Sequence, residues 1–185
     1  YRKLKQLDNH ISVSVVHPDM LEDGWMFDSS FPGATEDHLY GKKFLRQIYQ
    51  KADSKVTTSV TVPVLWDKKT ETIVNNESSE IIRIFNSSFN ELTNNYEDFY
   101  PMSKRKEIEK MNQLVYESVN NGVYKSGFAQ TQKAYDSAVT QLFTTLDYID
   151  EILSQSKYLV GDEYTEADLR LIPTLLRFDT VYVTH

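Results

Sequence analysis

The stretch Val60-Thr61-Val62-Pro63-Val64-Leu65-Trp66, with the turn Asp67-Lys68-Lys69-Thr70, the return run Thr72-Ile73-Val74 and then Glu77-Ser78-Ser79, decides the fold. The β-branched first run reads as a strand, and the second run folds back on it as a hairpin. Pro63 cannot donate to a ladder, so it belongs at an edge or at a strand start. Glu77-Ser78-Ser79 opens a helix whose apolar residues are Ile81, Ile82, Ile84 and Phe85. Upstream, Ile11-Ser12-Val13-Ser14-Val15-Val16 alternates apolar and polar and predicts another strand. Residues 17–37 hold Pro18, Gly24, Pro32 and Gly33 and read as a loop long enough to carry function. A helix is expected from His38 to Ala52, with Leu39, Phe44, Leu45, Ile48 and Tyr49 on one face. The first half thus reads as a small α/β unit of helix, strand, helix, hairpin and helix, without a first strand.

Residues 87–103 turn polar and acidic, with Asn90, Glu91, Asn94, Asn95, Glu97 and Asp98, and read as a linker. Everything after it is helical in pattern. The expected domains are therefore 1–86, a linker over 87–103, and a helical domain over 104–185. One helix is predicted over Lys104–Val119. Asn120-Asn121-Gly122-Val123-Tyr124 reads as a break. A second helix runs over Gln132–Ser154, with Tyr135, Ala138, Val139, Leu142, Leu146, Ile149 and Leu153 at the three- and four-residue spacing of a buried seam. Thr165-Glu166-Ala167-Asp168 is a capping-box variant that starts the last helix, with Tyr164 and Leu169 placed for a hydrophobic staple. It is a folding device with no catalytic part.

The chain has 185 residues, a net charge of −7, and 12 Tyr and 9 Phe, enough apolar and aromatic material for a packed core. The acidic balance argues against non-specific nucleic-acid binding, which rests on neutralising phosphates. No cysteine is present, which excludes a disulfide scaffold, a thiolate zinc site and thiol chemistry by these residues. His10, His17, His38 and His185 have no metal-ligand spacing, so no metal is expected. The longest run without a charge, between Lys55 and Asp67, is too short to cross a bilayer. The basic start has no apolar run after it, so no export signal is read, and the chain reads as an interior segment of something longer.

Several residues could carry chemistry. A cis proline after Val62 would leave a backbone amide and carbonyl exposed to a peptide ligand, and an ordinary strand-entry proline is the commoner case. The predicted helix start at Glu77-Ser78 can take a carboxylate on its amides and the Ser78 hydroxyl, and an ammonium on Glu77, or it can simply cap itself. Trp25, in Gly24-Trp25-Met26-Phe27, is either a lid over a ligand or a core plug. Tyr124 and Tyr182 are either pocket proton donors or buried tyrosines with backbone partners.

Together these segments resemble a known family. Thr61-Val62-Pro63-Val64-Leu65-Trp66-Asp67, Ile73-Val74-Asn75-Asn76-Glu77-Ser78, Asn120-Asn121-Gly122-Val123-Tyr124-Lys125, Thr165-Glu166-Ala167-Asp168, Arg177-Phe178-Asp179 and Val181-Tyr182-Val183 are similar to the glutathionyl-hydroquinone reductases, the Xi-class glutathione transferases. The resemblance implies a thioredoxin-like α/β domain that binds glutathione, then an all-helical domain, in a cytoplasmic homodimer. It implies reduction of glutathionyl-hydroquinones by glutathione, a co-substrate, through a cysteine thiolate in a Cys-Pro-Trp-Ala type motif that these residues lack. Under it Val62 and Pro63 hold the cysteinyl backbone of glutathione, Glu77 and Ser78 hold its γ-glutamyl end, and Trp25 packs over the tripeptide. Tyr124 and Tyr182 line the quinone pocket, with Tyr124 as the proton donor. The competing reading is a non-catalytic binding or scaffold module on the same fold.

Overall fold

The computed structural model describes residues 1–20 and 22–183. The chain divides into two compact units, Tyr1–Tyr96 and Glu97–His185. Among the described residues, no helix is long and apolar enough to cross a membrane.

In the first unit, α1 (Leu45–Ala52) is followed by β1 (Leu65–Asp67), β2 (Thr72–Asn75), α2 (Ser78–Ser87) and the short α3 (Asn90–Thr93). The expected hairpin is present: β1 and β2 pair antiparallel, Trp66 opposite Ile73 and Asp67 opposite Thr72, with a register shift between Leu65 and Trp66. The Asp67 carboxylate makes the turn by accepting from the amides of Lys69 at 2.7 Å and Thr70 at 3.3 Å. The strand is shorter than the sequence suggests: residues 60–64 are irregular, and the Val62–Pro63 peptide bond is cis.

Two expectations for the first 52 residues need correction. Residues 11–16 form no strand. Their polar groups are taken by a neighbouring loop instead of a ladder: the Val15 amide donates to the Thr35 hydroxyl at 2.9 Å, the Thr35 amide donates to the Val15 carbonyl at 2.8 Å, and the His38 ring bonds the Ser12 hydroxyl at 2.7 Å. The helix expected from His38 begins only at Leu45. The Asp37 carboxylate accepts from the amides of Leu39, Tyr40 and Lys42, and Gly41 sits at φ +60°, so residues 37–42 wind as a turn. The Gln47 side chain then accepts from the amides of Lys43 and Phe44 and starts the helix. Leu45, Ile48 and Tyr49 form one small core with Trp25, Phe27, Val64, Trp66 and Ile73, while Leu7, Ile81 and Phe85 form another.

The second unit is helical: α4 (Arg105–Val115), α5 (Asn121–Gly127), α6 (Gln132–Gln155) and α7 (Glu166–Arg177). The break expected at Asn120–Tyr124 does not occur. A π-helical turn over Tyr116–Asn120 carries α4 directly into α5. Val115, Val119 and Val123 are all buried at four-residue steps. Such steps drift by about 40° each on an α-helix of 3.6 residues per turn. The wider π-turn absorbs part of that drift and keeps the three valines on the core.

The seam of α6 is narrower than its spacing suggests. Leu142, Thr145 and Ile149 are buried, while Tyr135 and Leu153 are more than 40% exposed. Leu142 and Ile149 join Ile108, Met111, Val115, Val119, Val123, Ala167 and Leu171 in one core. The capping box of α7 is present. Asp168 accepts from the Thr165 amide at 2.9 Å and hydroxyl at 3.1 Å, and also from the Leu159 amide at 2.9 Å, so one buried carboxylate fastens the preceding loop as well. The Tyr164 ring meets Phe99 and Tyr158 edge-on or tilted.

Candidate functional site

In the first unit the Tyr49 hydroxyl organises the site. Tyr49 is 3% exposed, and its hydroxyl donates to the Thr61 carbonyl at 2.9 Å. The same oxygen accepts from the Thr61 amide at 3.3 Å and from the Asn76 side chain at 3.0 Å. Asn76 also reaches the Thr61 hydroxyl at 3.3 Å. This cluster pins the backbone just before Val62-Pro63 to the residue just before Glu77. It therefore fixes two predicted site segments against each other, and a buried hydroxyl so fully bonded holds its partners firmly. Sequence reasoning placed Tyr49 only on the apolar face of a helix. Tyrosine among aliphatic core positions is the one signal that could have marked it, since a buried phenol needs a polar partner.

Val62, Pro63, Glu77 and Ser78 are all exposed. The Glu77 amide donates to Asn75 at 2.7 Å, and the Glu77 carboxylate accepts from the Ser79 amide at 3.4 Å and hydroxyl at 3.3 Å. Glu77 thus caps α2, with long bonds that an incoming ammonium group can outcompete. Trp25 is half-buried against Leu45, Ile48 and Tyr49, and its carbonyl accepts from the Leu45 amide at 2.9 Å.

In the second unit Tyr124 lies on α5, and Tyr182 closes a second π-helical turn, Phe178–Tyr182, that continues α7. Their hydroxyls are 3.4 Å apart, and the rings meet edge to face at 5.6 Å and 75°. Tyr124 also stacks on Phe128, with ring centroids 6.4 Å apart and planes 8° from parallel. Tyr124 is 50% exposed, so it is not the buried tyrosine with a backbone partner that the sequence made commoner. Burial and the Tyr124 hydrogen bond push the Tyr182 phenol above the ordinary tyrosine range, against the pull of Arg177. Tyr182 therefore keeps its proton at neutral pH. One hydroxyl donates to the other, which leaves one hydroxyl proton that can be given to a third oxygen or to a carbanion. Among the described residues no three His, Asp or Glu gather as a metal site. His185 lies outside the described residues.

Comparison with known proteins identifies the fold and the family. The model of the glutathione S-transferase N-terminal domain matches residues 1–88, and that of the C-terminal domain matches residues 132–185. The glutathionyl-hydroquinone reductase YqjG of Escherichia coli is 56% identical over 184 residues, which cover 100% of this chain and 56% of the relative. The glutathionyl-hydroquinone reductase PcpF of Sphingobium chlorophenolicum is 50% identical, with 58% of its length covered. The glutathione-bound structure of YqjG superposes with a TM-score of 0.97 over 100% of this chain and 60% of that one. A Xi glutathione transferase of Saccharomyces cerevisiae in complex with glutathione is 39% identical, with a TM-score of 0.93, over 100% of this chain and 69% of that one. The fold is thus that of a glutathione transferase, a thioredoxin-like N-terminal domain with a small antiparallel sheet followed by a helical C-terminal domain. Within that class, the chain belongs to the Xi glutathione transferases, the family of the glutathionyl-hydroquinone reductases. It spans a little over half the length of the curated reductases it matches.

Proposed function

We propose that this chain carries the glutathione- and quinone-binding residues of a reductase that converts glutathionyl-hydroquinones to hydroquinones. The observation that carries the reading is the pair of tyrosine hydroxyls 3.4 Å apart, one on a half-exposed ring. The 56% identity to a glutathionyl-hydroquinone reductase supports it. Val62 and Pro63 offer their backbone to the cysteinyl part of glutathione. Glu77 receives the ammonium of the γ-glutamyl end, Ser78 donates to its carboxylate, and Trp25 packs over the tripeptide. Residues 1–86 form the glutathione domain, residues 87–103 the linker and residues 104–185 the helical domain.

The chemistry begins with a cysteine thiolate attacking the thioether sulfur of the substrate. The carbon–sulfur bond breaks, a mixed disulfide with glutathione forms, and the bonding pair leaves on the ring carbon. Tyr124 donates the proton that converts this carbon to the hydroquinone, and Tyr182 holds its hydroxyl in place. A second glutathione thiolate then attacks the mixed disulfide, releasing glutathione disulfide and the enzyme thiolate. The chain contains no cysteine, so this thiolate comes from a residue outside these 185. Such an exchange needs a compartment that keeps glutathione reduced, which favours the cytoplasm. The family resemblance favours a homodimer, and light scattering of the purified protein measures that state directly.

The absence of cysteine favours a second reading, a glutathione-binding module without catalysis. Turnover of a glutathionyl-hydroquinone by the full-length protein separates the two. Under the reductase reading, Tyr124→Phe slows turnover by about 100-fold or more, the range of a lost general acid, and leaves glutathione affinity unchanged. Equal turnover removes Tyr124 from the mechanism. No turnover by a full-length protein with an alkylatable thiol leaves only the binding module.

A further inference from the structure

Asn120 ends the first π-helical turn and stands immediately before α5, one turn ahead of Tyr124. Its side-chain amide donates to the Thr174 hydroxyl at 2.8 Å and to the Arg170 carbonyl at 3.1 Å. A primary amide has two donor hydrogens, so α7 takes both. Thr174 is 2% exposed, and its bond to Asn120 is partly buried. The two acceptors flank Pro173, which lies inside α7. Proline has no N–H for the carbonyl four residues earlier, and its ring crowds the preceding turn. The carbonyl that loses this partner is that of Leu169, the neighbour of the Arg170 carbonyl that accepts from Asn120. Beyond Thr174, α7 runs into the second π-helical turn, which ends on Tyr182. One side chain therefore ties the end of the first π-helical turn to α7, the helix that leads into the second. Single π-turns are uncommon and concentrate at functional sites.

We propose that Asn120 is a positioning residue for the tyrosine pair, setting the separation of the Tyr124 and Tyr182 hydroxyls by tying the start of α5 to α7. The proposal rests on the pair's role described under the proposed function. Its leverage comes from distance. An O–H···O bond is ordinarily 2.5–3.0 Å. At 3.4 Å the pair sits at the outer edge of that interaction. A shift of a few tenths of an ångström either ends the contact or tightens it, and a brace on both helices decides which.

The test uses the acidity of Tyr182 in the full-length protein, read by NMR titration of ¹³C-labelled tyrosine, with the two rings assigned by Tyr124→Phe and Tyr182→Phe. The groups that face Tyr182 are Tyr124 and Arg177. Asn120→Leu keeps the branched shape and removes both donors, and Thr174→Val removes one acceptor. Both are expected to lower the Tyr182 midpoint toward the usual tyrosine value of about 10, as the Tyr124 hydroxyl moves away. The double variant is expected to shift it no further than Asn120→Leu alone, because the two changes remove one shared bond. Should Asn120→Leu fail to fold, Thr174→Val carries the test. An unmoved Tyr182 midpoint in these folded variants, alongside a midpoint that Tyr124→Phe does move, overturns the role of Asn120 and leaves the pair intact. A midpoint that none of the three moves means that the hydroxyls are uncoupled in solution, which ends both the brace and the pair. Loss of the reductase reading appears separately, in the turnover of Tyr124→Phe.

Discussion

Two helix starts in this protein each close on a carboxylate, at α7 from Asp168 in the third helical position and at α2 from the cap residue Glu77 itself, and they differ in what surrounds them. At α7, Thr165, Glu166 and Asp168 are all at most 7% exposed, and Asp168 accepts three hydrogen bonds. Glu166 next to it pairs with Arg170 at 2.6 Å and accepts from Asn112 at 3.0 Å. At α2, Glu77 and Ser78 are exposed, and the cap bonds of Glu77 measure 3.3 and 3.4 Å. The first start is saturated and cannot take a ligand. The second is loosely closed and open to solvent, on a backbone that Tyr49 and Asn76 hold still. The difference teaches that a helix N-terminus stays open to a ligand when its cap is loosely bonded and its foundation is rigid. Charge at the helix start is common to both.

The comparison can be broken most directly at Asp168. Asp168→Ala strands the buried Leu159 and Thr165 amides. It is expected to lower unfolding stability by about 2–4 kcal/mol, measured by urea denaturation. A loss under about 0.5 kcal/mol means the buried cap is not structural. Glu77→Ala sharpens the other side. Its weak exposed cap predicts a stability loss of about 0.5–1 kcal/mol, but a loss of glutathione affinity of about tenfold or more by calorimetry, the size of a lost charged hydrogen bond. A large stability loss with unchanged affinity reverses the assignment and makes the two helix starts alike.

The smallest effect concerns an exposed ion pair in the first unit. The hydrogen bond and charge of Lys51, at 3.0 Å, hold the Glu71 carboxyl below its ordinary range. A carboxyl lowered in the folded state contributes stability above its unfolded value of about 4.3, and loses it as pH falls through the lower folded value. Glu71→Gln should therefore flatten the acid limb of the stability curve below that pH, and added salt should mimic the change, since exposed pairs are screened. Identical acid limbs in the parent and the variant remove the pair from the account.

The parts of the fold legible in the sequence are those set by near neighbours. The hairpin follows from a β-branched run, an Asp67 turn and a second run within 16 residues, and the structure keeps its core pairing. The Thr165–Asp168 capping box involves side chains three positions apart and forms as expected. The segments that carry the family resemblance are likewise short and contiguous, and they sufficed to place the whole chain in its family.

Contacts between distant residues decided the rest. The strand expected at 11–16 and the helix expected from His38 carry correct local patterns, yet both yield to partners elsewhere, such as the His38 ring on Ser12 across 26 positions. Tyr49 became the anchor of the candidate glutathione site through Asn76, 27 positions away, and Asn120 became a brace through Thr174, 54 positions away. Periodicity and capping act over about one helical turn, so they register in the sequence as a pattern. A hydrogen bond across dozens of residues leaves no such pattern. It exists only once the packed chain has brought a donor and an acceptor together.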